Sequence, residues 1–520
     1  MKILGLTGSL VISFFIFQFN LFAQQSSLQS IRPIIFSKPV ELNWRSVSFD
    51  TINYSETSLD GGASLYSLPN QTTAKFSLRI ALPKSIYSMT PQERTAFGAM
   101  ADLLILGGFS DKNFEQIQNL LSENGINLET GINQNGQVVI SANALSSDFD
   151  LVLTIMQEML FSPKFSSGAL DIWKQQSRDA FVNLTDANTL EKQMRFVDNQ
   201  ANILALGENQ YFSTYLKRIS PTETSKVTIE KVKEIYKQAL NKNGLNVWLS
   251  GNYTQKNFVN LSKLVAEVPK TQPSVYAWLP ERPLSKNQGN KILAVLIKKP
   301  DMTQCNVTLR YFYPNLGKLN DLEEAEYSLI SEVFSSTGGV IGNDRFSKVM
   351  RTDSGISYSP HAYFNQNILY PNTNLSAFYL NFQSPNERLA EAVKLAKQTW
   401  NVFLTKGIQK EELDVKRTSL MNRLLATEST IFNKSDSIME QVMRGEVPNN
   451  NPIEYSLVSL DQLKNVTRIN HILSGLAQEK PLAVLVIMGN PDAKQISTLL
   501  EESGVSLVNT IDFNSFIHSL

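Results

Sequence analysis

Two stretches of this chain repeat one another, and that duplication limits the possible folds more than any other feature. KFSLRIALP at 75–83 has a counterpart in NVTLRYFYP at 306–314, so that Leu78-Arg79 matches Leu309-Arg310 with a spacing of 231 residues. Gly125-Ile126 matches Gly355-Ile356 at 230. Self-similarity at so long a period marks duplicated domains, since solenoids repeat every few tens of residues. Each copy reads strand, helix, helix, strand, helix. In the first, the alternating strand at 75–83 precedes a helix from Pro91, with Thr90 or Ser88 as N-cap and Gly107-Gly108 as its stop. NFEQIQNLLSENGINLETGI supplies the next helix, QVVISANAL a strand and DFDLVLTIMQEML a helix. In the second copy the same places hold DLEEAEYSLISEVFSS, RFSKVMRTDSGISYSPHAYF, LSAFYLNFQS and ERLAEAVKLAKQTWNVFL. Each half closes with a late strand, at 244–253 and 482–490, that ends in Gly-Asn. The pattern predicts an α+β fold, with two duplicated domains that each pack helices on one face of a mixed sheet.

The Pro-rich segment 269–288 is the expected linker between a domain at 35–268 and one at 289–515. Met1-Lys2, the apolar LGLTGSLVISFFIF and the polar QQSS after Ala23 describe a secretory signal peptide over 1–23. The apolar run is shorter than the ~20 residues that span a bilayer. No stable membrane insertion is expected after cleavage. The protein is therefore expected to be exported, and periplasmic if its source is Gram-negative. Lys+Arg and Asp+Glu both number 48. That balance argues against nucleic acid or an anionic membrane as the main partner. With Cys305 as the single cysteine, no intramolecular disulfide is possible, and Cys305 reads as a small packed residue.

The duplicated α+β layout resembles the insulinase (pitrilysin-type) peptidase family over 35–515. The likeness also rests on LYSLPN before the first strand, GAMADLLILGG in the first long helix and RFSKVMRTDSGISYS in the second half. It implies a clamshell of two metallohydrolase-like domains. Active members carry H-x-x-E-H on the first long helix, where two His at i and i+4 ligate zinc and the Glu activates a water. At those places this chain has Ala101, Leu104 and Ile105, and residues 60–200 contain no histidine. His361, His471 and His518 are not spaced as a ligand pair. Asp102 and Asp179, the carboxylates left nearby, read as solvated surface groups. No zinc and no other cofactor is expected in this chain.

The second domain of the family supplies R-x6-Y, which reaches the substrate peptide near the metal. Arg351 and Tyr358 stand in that pattern here, both donors suited to developing negative charge. At the matching offset the first half has Leu121 and Leu128. The plainer alternative pairs Arg351 with Asp353 or Glu332 and leaves Tyr358 on an edge strand. The Gly-rich SSTGGVIGNDRF just upstream is not followed by G-K-[ST], so it is not a P-loop, and Asp344 departs from the family's Ser. Some family members divide catalysis between a zinc-bearing subunit and a zinc-free one that carries the Arg/Tyr pair. The resemblance implies the second role. This chain would be a non-catalytic, substrate-binding subunit that takes unfolded peptide beside a zinc-bearing insulinase-type partner. The alternative is a binding or assembly scaffold. A stand-alone hydrolase lacks support, for there is no G-x-S-x-G elbow and no Cys–His pairing.

Overall fold

The structure is a computed structural model. It describes residues 44–46, 54–133, 135–185, 189–206, 220–270, 292–313, 316, 319–336, 344–365, 376–426, 435, 438–439, 441–442, 452–479 and 481–515. The expected signal peptide and most of the expected linker lie outside these residues.

Two six-stranded mixed sheets form the frame. The first contains β1 (Ser55–Leu59), β2 (Ala63–Pro69), β3 (Lys75–Ser85), β4 (Asn127–Ile132), β5 (Gln137–Leu145) and β6 (Asn246–Gly251), in the order β1-β2-β6-β3-β5-β4. The second contains β7 (Ile292–Lys298), β8 (Gln304–Tyr313), β9 (His361–Asn365), β10 (Ser376–Pro385), β11 (Leu482–Gly489) and β12 (Val505–Asp512), in the order β12-β7-β11-β8-β10-β9. The late strand pairs in parallel with the strand on its outer side and antiparallel with β3 or β8. The expected α+β class and duplication are both present.

The duplicated points are places where the backbone permits little choice. Helix α1 (Pro91–Leu106) starts at a capping box of Thr90 with Glu93. Helix α2 (Phe114–Glu123) follows it. Gly125 and Gly355 both have φ +62°, the left-handed conformation that ends a helix at little cost to glycine alone. The isoleucine after each is buried, closing the cap with an apolar contact. The two segments expected to be wholly helical are therefore split. The helix in the first stops at Glu123 and β4 begins at Asn127, while in the second a short helical turn ends before Gly355 and His361 opens β9.

Helices α3 (Phe149–Phe161), α4 (Ser167–Thr185), α6 (Ile229–Ala239) and α7 (Gln255–Glu267) join α1 in the core on the inner face of the first sheet. Leu78 and Phe76 of β3 point into that core, and Leu309 and Val307 of β8 into the matching one. The opposite faces are covered by exchange between the halves. Helix α5 (Leu190–Leu206) belongs to the first half, yet it lays Phe196, Val197 and Ala201 against Val484 and Val486 of β11 and Phe312 of β8. In return, the helical residues Ile438, Met439 and Val442 of the second half cover Leu68, Tyr66, Ala81 and Trp248 of the first sheet. Trp44 likewise packs in the core of the second half.

The duplicated arginines mark this exchange. Arg310 bonds to Asp198 of α5 and lies 4.2 Å over the Tyr379 ring, while Arg79 Nη1 approaches Met439 Sδ at 3.9 Å. A polar strip on β8 and β10 is buried beneath α5. Thr308 donates to Asn381 at 2.5 Å, Gln383 Nε2 donates to Asn306 at 3.1 Å, and Asn306 bonds to Gln193 of α5.

Because α5 ties the halves together, they should unfold as one unit. Phe196→Ala removes a buried ring and should cost ~3–5 kcal/mol. It should shift a single urea transition of the whole chain, followed by tryptophan fluorescence. Two separate transitions, with only one moved by the substitution, would contradict this packing.

Candidate functional site

The first long helix places its three expected motif positions without any metal-binding atom. Ala101 (2% exposed) and Leu104 (0%) face the core, and Ile105 packs partly against it. The outer stripe of α1 runs through Gly98, Asp102 and Ile105, and only Asp102 among them carries a ligating group. Its Oδ2 accepts a hydrogen bond from Trp173 Nε1 on α4 at 2.8 Å. Asp102 is thus exposed but engaged, more than the solvated group expected. Asp179 on α4 is exposed and accepts from Gln175 Nε2 at 2.9 Å. These residues do not fit a zinc centre. Among the described residues no group of three or more His, Cys, Asp or Glu could hold a metal ion. His361 opens β9, with Nε2 3.2 Å from Asn381 Nδ2; His471 is exposed on a helix; His518 lies outside the described residues.

The matching helix of the second half is α8 (Asp321–Phe334), capped by Asn320 and Glu323, which fall 230 residues after Thr90 and Glu93. In that register Ser331, Glu332 and Ser335 answer to Ala101, Asp102 and Ile105. Ser335 Oγ accepts from Ala362 N at 2.9 Å and Ser331 Oγ from Phe364 N at 3.2 Å. The outward amides of the edge strand β9 are therefore sealed by α8. Ala101 and Ile105 offer β4 no such cover, and among the described residues no strand pairs with its outer edge.

Beside β9 lies the Arg/Tyr pair. A short helical turn, Arg345–Ser347, runs into a π-helical turn, Lys348–Asp353, that carries Arg351. Single π turns are strained insertions that recur at functional sites. Arg351 Cζ lies 4.2 Å over the ring of Tyr358, which is 72% exposed. The structure thus brings the two together. Arg351 Nη1 is buried and has no hydrogen-bond partner.

The carboxylates that the plainer reading assigned to Arg351 are engaged elsewhere. Asp353 binds Lys348 Nζ through both oxygens at 3.1 Å, and Glu332 accepts from Arg423 at 2.7 Å. At the matching places in the first half, Leu121 and Leu128 are buried.

The turn is held from below by charges that sequence reading missed. Helix α9 (Leu389–Lys406) is followed by α10 (Lys410–Ala426). Arg345 reaches Glu412 of α10 with Nε at 2.9 Å and Nη2 at 2.5 Å, a buried two-point pair. Asp344 accepts from Ser347 N at 2.7 Å, and burial holds its carboxyl above the usual range. Burial depresses Lys416 beside it, against the opposing pull of Glu332 and Asp344. The only sequence signal for this network was acidic and basic residues at helical spacing in KEELDVKRTSLMNR, a pattern that also suits a solvated face. The Gly-rich stretch at 337–343 lies outside the described residues.

Arg345→Met would leave Glu412 buried and unpaired, and should cost ~3–5 kcal/mol. Arg351→Met breaks no ion pair and should stay within ~1 kcal/mol of the parent. Thermal denaturation of the two variants checks the contrast; equal losses would mean that Arg351 is a structural residue.

Residues 226–420 match the family model described as the peptidase M16 inactive domain. Among solved structures, a peptidase M16 inactive domain from Pseudomonas fluorescens is 16% identical, with a TM-score of 0.65, covering 85% of this chain and 99% of that one. The periplasmic protease PqqL from Escherichia coli is 12% identical with a TM-score of 0.66, covering 89% of this chain and 48% of that one. The ferredoxin protease FusC, solved as a mutant in complex with Arabidopsis ferredoxin, is 14% identical with a TM-score of 0.65, again covering 89% and 48%. The chain thus spans about half the length of PqqL and FusC. No curated protein sequence matches it. The insulinase-type resemblance read from the sequence is borne out, and the fold is that of an M16 peptidase-like protein.

Proposed function

We propose that this insulinase-type chain is the non-catalytic, substrate-binding subunit of an exported zinc peptidase, working beside a zinc-bearing relative. The observation that carries this reading is the asymmetry between the two copies. The positions where the family holds zinc are apolar, whereas Arg351 is stacked over the exposed Tyr358 and makes no ion pair among the described residues. A core role would have replaced the pair by apolar residues, as at Leu121 and Leu128.

Two further observations support it. PqqL and FusC are each about twice the length that this chain covers, so one such chain supplies half of what those proteases carry in a single polypeptide. FusC is described in complex with a protein, ferredoxin. By analogy the substrate here is a polypeptide, taken in unfolded form on the family resemblance, and the partner contributes two His, the Glu and the metal. In the complex, Arg351 and Tyr358 face the partner's metal and donate to the scissile carbonyl as its oxygen gains charge. Export rests on the residues of 1–23 and on PqqL being periplasmic. No helix among the described residues is long and apolar enough to cross a membrane.

Purified with its partner, the complex should lose about a hundredfold in kcat/KM on Arg351→Ala or Tyr358→Phe, with assembly unchanged. Unaltered peptide cleavage in both variants would favour a scaffold over this reading.

A further inference from the structure

We propose that His361 is a proton-operated latch on the docking of α5: neutral, it completes a hydrogen-bonded row of side chains beneath that helix, and protonated, it breaks the row and loosens the cover that the first half provides to the second sheet.

Strand register builds the row. Thr308 of β8 stands opposite Asn381 of β10, and Asn381 stands opposite His361 of β9. The flanking rows on the same face are Asn306–Gln383 and Arg310–Tyr379–Tyr363. This is the face that α5 covers, for Gln193 binds Asn306 and Asp198 binds Arg310. Thr308 and Asn381 are buried, whereas His361 is exposed at the rim, where a proton reaches it.

The direction of each bond follows from the chemistry of the donors. The Thr308 hydroxyl donates to Asn381 Oδ1 at 2.5 Å, which turns Asn381 Nδ2 toward β9, 3.2 Å from His361 Nε2. An amide NH2 only donates, so Nε2 accepts and the ring proton sits on Nδ1, 3.4 Å from Ser359 O. An imidazolium has no lone pair to offer. Its Nε2–H would meet Nδ2–H donor to donor. Turning the amide over serves the histidine but sets Nδ2 against Thr308, whose hydroxyl proton then loses its acceptor. Either way a donor next to the buried strip is left unmatched, and such a group is costly where water is excluded.

The first copy lacks this device. Its matching row is Ser77–Asn143–Asn127, in which nothing titrates. Around His361 the other charges are paired or keep one state. On α5, Asp198 binds Arg310, Glu191 binds Arg195 at 2.8 Å, and Lys192 donates to Asn183 at 3.4 Å. On α8, Glu332 is bound to Arg423, and Glu324 shares the helical stripe of Ser331. On the turn beside β9, Arg345 binds Glu412, Lys348 binds Asp353, and Arg351 lies over Tyr358. Burial pushes the Tyr363 phenol up to about 12 and raises that of Tyr379, so both stay neutral. Asp344, whose carboxyl burial holds above the usual range, also titrates on the acid side. It is present in every variant below and cancels in their comparison.

The test is hydrogen–deuterium exchange of the full chain, read on the amides of α5 and corrected for the intrinsic rate at each pH. The parent, His361→Gln and His361→Lys are compared at about pH 7.5 and about pH 5, either side of the ordinary imidazole range, after circular dichroism has shown each to be folded. Protection of α5 in the parent should fall about tenfold or more at the lower pH. Gln accepts from Asn381 Nδ2 at both values, so His361→Gln should keep the protection within about twofold. Lys only donates, and His361→Lys should show the low protection at both. An equal fall in the parent and His361→Gln would place the proton elsewhere and overturn the proposal. So would a parent indifferent to pH, or parent-like protection in His361→Lys at the higher pH.

Discussion

Everything else in this structure depends on the exchange of helices across the two sheets. A central strand such as β11 is buried along its whole length, so the sheet needs cover on both faces. Each half brings helices for one face only, and takes the other cover from its twin through α5 or through the segment around Ile438. Opening the halves would strip that cover and expose the buried polar strip of Asn306, Thr308, Arg310 and Asn381. Burial of that kind favours one rigid body.

On this fixed frame the two copies have diverged in matched places. Arg351 and Tyr358 have buried leucines as counterparts; Ser331 and Ser335, which close β9, have Ala101 and Ile105; the buried Glu332 answers to the exposed Asp102. One copy is largely apolar along its first helix, while the other has a charged foundation under its π turn. The Arg345–Glu412 pair belongs to that foundation and positions the turn without facing solvent. A buried pair of this sort contributes little net stability, and its value lies in allowing one arrangement of the chain around it.

The sequence made the duplication legible because its matched residues are those the backbone constrains most. Leu78 and Leu309 face the cores of central strands, and Gly125 and Gly355 occupy the left-handed cap. The apolar residues at Ala101, Leu104 and Ile105 and the Arg/Tyr spacing were legible as residue types. The exchange of α5 was not, since an amphipathic helix does not state which sheet it will cover. Nor were β4 and β9, because a helix that ends in a tight cap and a short edge strand carry no periodicity of their own. The engagement of Asp353, Glu332 and Glu412 is tertiary. Only the folded chain shows that Asp353 and Glu332 are taken by Lys348 and Arg423 and not by Arg351.

The most direct test of the account is peptidase activity on a mixed unfolded peptide, measured for this chain alone, for the zinc-bearing relative alone and for the two together. The account predicts no cleavage by this chain, and cleavage by the mixture that exceeds that of the relative and is abolished by a chelator. Chelator-sensitive cleavage by this chain alone would contradict it.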